Sequence, residues 1–237
     1  MEHNNEKGLI DAAKEFEMRN TAASAVQTDV PSAPRTSRRS RKSKTQYMVT
    51  LALLCALVVV LQLWGSAIPM PGSTSLSLVL IPIVIGGLAL GVKAGAVLGF
   101  VFGLFVLMWC GVLGYDPFTA FLFANQPVMT VLICIVKGTV AGVVPPLVHR
   151  VLRQRFPFGS TVVAAALAPV CNTGLFLLGM AIIVKTLESF LSGAGLTVGY
   201  FIGSIILVNF ALEFVFNLVL SPAIYRITGI VLKQRKR

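Results

Sequence analysis

Long uncharged stretches, separated by short polar or charged segments, dominate the sequence from residue 45 onward. No charged residue occurs between Thr45 and Val92, and the turn-forming segment Ile68–Gly72 divides that stretch in two. A helix needs about 20 apolar residues to cross a hydrocarbon core about 30 Å thick. The pattern therefore predicts six membrane-spanning helices, spans 1 to 6, near residues 47–67, 76–91, 93–113, 127–149, 160–185 and 198–224.

The composition supports an all-α membrane protein. Hydrophobic residues make up 56% of the chain, charged residues only 12%, and the mean hydropathy is +0.84. Soluble domains are about one quarter charged, so an ordinary water-soluble enzyme is excluded. The uncharged runs lack the alternation of barrel strands, and backbone groups in lipid must be satisfied internally. We therefore expect a bundle of six transmembrane helices.

The basic residues predict the orientation of the bundle. Under the positive-inside rule, basic clusters mark the cytoplasmic ends of the spans. They precede span 1 and follow spans 2, 4 and 6, which places both termini in the cytoplasm and the protein in the cell membrane. The segment Arg38–Lys44 contains no aromatic residue, so we interpret the net charge of +11 as contact with anionic lipid and not with nucleic acid.

The chain divides by composition into three parts. Residues 1–46 hold nine of the 20 Lys and Arg residues and few large apolar ones, which predicts a disordered, basic cytoplasmic tail. Residues 47–226 form the predicted membrane domain, and 227–237 form a second basic cytoplasmic tail. The first apolar run is a full span, so span 1 serves as its own insertion signal.

No motif of an intramembrane enzyme is present in the sequence. It contains neither a GxSxG nor an HExxH motif and has no Gly-rich phosphate loop. Glu213 is the single carboxylate within a predicted span, and the four cysteines lie singly in separate spans. We therefore expect a non-catalytic protein without a metal or cofactor, which cannot energise transport with ATP on its own.

Small residues recur at helical spacing in two places. A glycine ladder occupies every fourth position through spans 2 and 3, and it predicts close packing of those two spans. Span 1 carries a second small-residue face that suits either a partner helix or internal packing. These residues are Gly87, Gly91, Gly95, Gly99 and Gly103 in the ladder, and Ala52 and Ala56 in span 1.

A polar stripe runs along span 6. Asn209, Glu213 and Asn217 follow at four-residue steps, and a mid-span Glu facing lipid costs on the order of 2.5–3.5 kcal/mol, so the stripe must face inward. Lys137 in span 4 and Asn172 in span 5 also lie near mid-depth. They predict either a salt bridge that holds helices together or a pocket for a hydrophilic solute, which we favour. Gln62, Trp64 and Asn125 are candidates for its mouth.

Three segments carry a family resemblance. The run Ile81–Gly103, the segment Pro169–Thr173 and the stripe Asn209–Asn217 resemble substrate-binding S components of energy-coupling factor (ECF) vitamin transporters. The resemblance covers about residues 47–226. It implies an extracellular pocket for a vitamin, with transport driven by a transmembrane coupling subunit and two cytoplasmic ATPases.

The resemblance also implies roles for particular residues. Ala52 and Ala56 match the family's Ala-x-x-x-Ala surface for the coupling subunit. Asn172 and Thr173, together with the segment Pro82–Gly95, favour pantothenate among the possible vitamins. The alternative is a structural or regulatory membrane subunit whose polar residues only hold helices together.

Overall fold

The protein is all-helical throughout the part that its structure describes. Every regular element in that part is a helix, as the sequence predicts. The chain divides into two compact units, Met1–Lys44 and Thr45–Arg237. The computed structural model describes residues 13–21, 36–66, 78–193 and 195–236.

A short helix, α1, covers residues 13–21 of the first unit, within the tail predicted to be disordered. Its side chains are exposed, and Arg19 lies 4.0 Å from Glu15, one turn earlier. Oppositely charged pairs at this spacing, together with Lys, Glu and Met, favour helix. The tail predicted to be disordered therefore contains one helical segment in the described part, and residues 1–12 and 22–35 lie outside the described residues.

The remaining helices account for most of the second unit. Short π-helical turns at Leu107–Val112 and Phe201–Ile206 extend α4 and join α9 to α10. In chain order the helices are α2 (Thr36–Ser66), α3 (Leu80–Leu90), α4 (Val92–Val106), α5 (Pro117–Asn125), α6 (Pro127–Leu152), α7 (Pro157–Ile182), α8 (Val184–Gly193), α9 (Val198–Tyr200) and α10 (Leu207–Lys236).

Among the described residues, five helical segments are long and apolar enough to cross a membrane. Span 2 was predicted at 76–91, but its helix α3 has only 11 residues, and residues 67–77 lie outside the described part. The predicted count of six spans is therefore not confirmed. The five segments are Lys44–Ser66, Val92–Val112, Pro127–Leu152, Pro157–Ile182 and Val198–Val231.

Helical structure extends beyond the predicted limits at several places. α2 begins at Thr36 instead of residue 47, and α10 continues to Lys236 through most of the segment predicted as a tail. Lys, Arg, Gln and Leu favour helix, which explains both extensions. The short helices α5 and α8 were not predicted, because their segments are too short to give a clear helical period.

The glycine ladder packs α4 against α6. A Cβ atom added to any of three ladder glycines would collide with backbone carbonyl oxygens of α6, so only glycine permits this approach. The pairs are Gly95 with Gly142, Gly99 with Gly138, and Gly103 with Cys134. The prediction of packing between spans 2 and 3 did not include α6, which carries a second small-residue face.

The other two ladder glycines lie at the junction of α3 and α4. A Cβ on Gly87 would lie 2.9 Å from the Pro146 side chain of α6, and one on Gly95 would lie 3.1 Å from the Gly87 Cα atom. Gly91 joins the two helices with φ +105°, a conformation that favours glycine. The ladder therefore also brings α3 close to α4, because the turn at Gly91 folds one helix back toward the other.

Candidate functional site

A cavity of about 70 Å³ lies between the long helices of the second unit. Its wall comes from α2, α4, α6, α7 and α10, with the start of α5 also contributing. The polar side chains in the wall are Gln62, Asp116, Thr119, Lys137, Asn172, Thr173, Asn209 and Glu213, and the apolar ones include Phe102, Val106, Phe118 and Phe176.

The structure brings together five of the eight residues predicted to bind a solute. They come from four helices that are distant in sequence, and each helix directs its polar side chain inward because lipid would penalise it. The five residues are Gln62, Lys137, Asn172, Asn209 and Glu213.

The other three predicted residues do not line the cavity. Trp64 is 59% exposed, because it lies two residues beyond Gln62 and therefore about 200° around α2. Asn125 is exposed at the end of α5, where its Nδ2 atom donates to the carbonyl of Phe121 at 2.8 Å. Asn217 is buried, but it lies one turn beyond Glu213.

The stripe on α10 is linked by hydrogen bonds within the helix. Asn209 Nδ2 donates to Glu213 Oε1 at 3.4 Å, and Asn217 Nδ2 donates to the Glu213 carbonyl oxygen at 2.9 Å. Glu213 is only 1% exposed. These contacts hold a carboxyl group inside the bundle, facing the cavity, as the spacing predicts.

Lys137 supplies a cation to the cavity wall. Lys137 itself forms no salt bridge with a carboxylate of the described residues. The Lys137 Nζ atom instead lies 5.0 Å from the centre of the Phe176 ring, in a cation–π contact. Its charge therefore remains available to an anionic group in the cavity.

Several acceptor atoms in the wall are buried and unused. Asp116 Oδ1, Asn172 Oδ1 and Asn209 Oδ1 accept no hydrogen bond from the part of the chain that the structure describes. A buried acceptor without a partner costs about 1–3 kcal/mol. The cavity thus presents acceptors for hydroxyl or amide groups beside one cation.

Asp116 and Thr119 are cavity residues that the sequence analysis missed. Asp116 begins α5 as its N-cap: its Oδ2 atom accepts hydrogen bonds from the Thr119 backbone N–H at 3.2 Å and from the Thr119 hydroxyl. Burial raises the pKa of the Asp116 carboxyl above its usual range, while the hydrogen bonds from Thr119 oppose that shift. The sequence signal was the pair Asp116-Pro117, which is typical of a helix start.

Aromatic rings narrow the cavity on one side. The Phe118 ring of α5 lies 6.2 Å from that of Phe176, 5.3 Å from that of Phe190 and 5.0 Å from that of Phe201. This cluster links α5, α7 and α8 with the π-helical turn before α10. Phe118 and Phe176 of this cluster line the cavity, whose volume is below the roughly 300–1,000 Å³ of typical small-molecule sites.

The small-residue face of α2 lies on the surface. Ala52 and Ala56 are exposed, and the neighbouring Leu53 and Val60 are 66% and 59% exposed. Among the described residues, this face of α2 is therefore not covered by internal packing.

Comparisons with known proteins cover most of the chain. A family model described as ECF transporter, substrate-specific component, matches residues 46–225. The chain is also similar to the pantothenic acid transporter PanT of Lactococcus lactis subsp. cremoris (strain MG1363). The two are 28% identical over 196 residues, which cover 78% of this chain and 94% of that protein.

Proposed function

The chain belongs to the family of ECF transporter substrate-specific components, and on that premise we propose that its cavity binds pantothenate for uptake. The similarity to a relative that is named a pantothenic acid transporter supports this substrate. The observation that carries the proposal is Lys137, a cation in the wall of a cavity that also holds buried acceptor atoms without a partner among the described residues.

The functional groups of pantothenate suit this wall. Its carboxylate pairs with the Lys137 ammonium group, and such a charge-assisted contact is stronger than a neutral hydrogen bond. Its hydroxyl and amide groups donate to the buried oxygens of Asn172 and Asn209, which have no other partner among the described residues. Each pairing removes the cost of a buried group without a partner.

Binding also requires the cavity to enlarge. A vitamin needs more room than about 70 Å³, and the rings of Phe118 and Phe176 occupy part of the space. We expect these rings to move apart when the solute enters, which displaces the start of α5. The ligand-free protein is then the more compact state.

The exposed face of α2 is the proposed contact for the coupling subunit. Ala52 and Ala56 let a partner helix approach closely, and two ATPases that act through that subunit supply the energy. In this arrangement both termini and their basic clusters lie in the cytoplasm, and the cavity opens toward the outside of the cell membrane.

Purified protein in detergent provides the test. We expect pantothenate to raise the unfolding temperature and to be found by mass spectrometry as a co-purified solute, because a ligand that binds only the native state stabilises it. Riboflavin and folate serve as control vitamins. A protein stabilised by a control and not by pantothenate would contradict this substrate, and one stabilised by none would favour the structural or regulatory alternative.

A further inference from the structure

The two carboxylate oxygens of Asp116 differ in their hydrogen bonds. Its Oδ2 atom caps α5 through the backbone and the hydroxyl of Thr119, whereas its Oδ1 atom is buried and accepts no hydrogen bond from the described residues. The residue lies in the wall of the cavity together with Lys137. One oxygen is therefore used by the fold and the other is not.

Capping alone does not account for an acid at this position. Ser, Thr and Asn cap helices about as well as Asp, without the cost of burying a charged group. In the same chain, Thr197 caps α9 through its hydroxyl, which accepts the Tyr200 backbone N–H at 3.3 Å. A carboxylate in the cavity wall therefore indicates a second role.

The opposite charges of Asp116 and Lys137 make the cavity electrostatically asymmetric. A solute carboxylate is attracted to Lys137 and repelled by Asp116, whereas a hydroxyl or amide group can donate to Asp116 Oδ1. A solute that carries both an acid and donor groups therefore binds in one orientation.

We propose that Asp116 is a specificity-determining residue whose Oδ1 atom accepts a hydrogen bond from a hydroxyl or amide group of the bound acid. This inference rests on the proposed function of the cavity. A site with a buried acceptor rejects analogues that lack the matching donor, because the acceptor is then left without a partner. The cavity thus selects hydroxylated acids over their deoxy forms.

The experiment compares pantothenate with its monodeoxy analogues by calorimetric titration of the purified protein. We expect the wild type to prefer pantothenate over at least one deoxy analogue by about tenfold or more. Asp116→Asn retains an oxygen for the cap but turns an amide donor toward the cavity. It should bind pantothenate about tenfold more weakly and discriminate less than about threefold.

Two further variants separate binding from helix capping. Asp116→Ala removes both roles, and Thr197→Ala removes a cap that does not line the cavity. We expect both to lower the unfolding temperature, but only Asp116→Ala to lose discrimination.

The outcomes distinguish the two proposals. A wild type that binds no pantothenate would overturn the proposed function. If the wild type binds pantothenate and Asp116→Asn has the same affinity and discrimination, the role of Asp116 is overturned while the proposed function stands.

Discussion

Gly99 of α4 and Gly138 of α6 face each other backbone to backbone. A Cβ atom added to either one would collide with the carbonyl oxygen of the other. Because the obstacle on each side is main chain, no change of side-chain rotamer can relieve it. The separation of these two helices is therefore determined by the absence of a side chain at both positions.

Gly99→Ala should destabilise the protein by about 1–3 kcal/mol, since the added methyl group forces α4 and α6 apart. Gly174→Ala on α7 is the matched control, because a Cβ there meets nothing within 4 Å. Thermal unfolding in detergent measures both. Equal unfolding temperatures for the two variants would contradict the close packing of α4 on α6.

Lys137→Gln should weaken pantothenate binding by about 10- to 100-fold, because it removes the charge that pairs with the carboxylate. Lys93→Gln changes an exposed lysine in the first turn of α4 and should leave the affinity as it is. Calorimetric titration gives the dissociation constant of pantothenate for each variant. Unchanged affinity in Lys137→Gln would mean that the carboxylate binds elsewhere.

Glu213→Ala should abolish pantothenate binding while the protein still inserts and folds, because it removes a buried acceptor from the cavity wall. Asn217→Ala is a control of equal burial one turn along α10, outside the wall. We expect it to affect stability more than affinity. A larger loss of affinity in Asn217→Ala than in Glu213→Ala would mean that Asn217, and not Glu213, contacts the solute.

Ala52→Trp should block uptake by cells but spare binding by the purified protein, since the indole obstructs the exposed face of α2. Val219→Trp places the same ring on another exposed position, in α10, where the native side chain is 67% exposed, and should allow uptake. Parallel uptake and titration assays make the comparison. Loss of uptake in both variants would indicate a general defect of insertion.

Acidity should affect stability through Asp116. Because burial raises the pKa of its carboxyl in the folded state, the folded protein holds this proton to a higher pH than the unfolded chain does. The free energy of unfolding should therefore fall as pH rises from the ordinary Asp pKa of about 3.9 through the raised value.

The measurement is a series of unfolding curves between about pH 4 and pH 7. The informative quantity is the difference between the wild type and Asp116→Asn, because the contribution of every other group cancels in that comparison. The variant should show the smaller decrease. Parallel pH profiles would mean that Asp116 titrates normally.

The sequence predicts the polar convergence well, because the membrane leaves few choices. Glu213 and Asn209 lie one turn apart, and neither they nor Lys137 can face lipid without a large cost. An inward direction for each side chain is enough to bring α6, α7 and α10 together around one cavity. This part of the site follows from periodicity and from the solvent alone.

The missed features depend on short or paired signals. Asp116 lies in a loop of few residues, where no periodicity exists and only the helix-start pair with Pro117 marks the position. Gly138 and Gly142 form a second four-residue repeat, within span 4. Only a comparison of the two repeats indicates that α6 is the partner of the glycine ladder. Trp64 lies close to Gln62 along α2 but on another face of the helix, so proximity in sequence does not bring it to the cavity.

The residues that hold α4 against α6 and the residues that line the cavity are two separate sets. Backbone contacts at glycine set the spacing of α4 and α6, while the lining side chains project mainly from six different helices. Exchanging one lining residue therefore leaves the spacing of α4 and α6 unchanged. A chain built in this way can acquire a new nutrient by a few substitutions, and a designer can retune it by the same route.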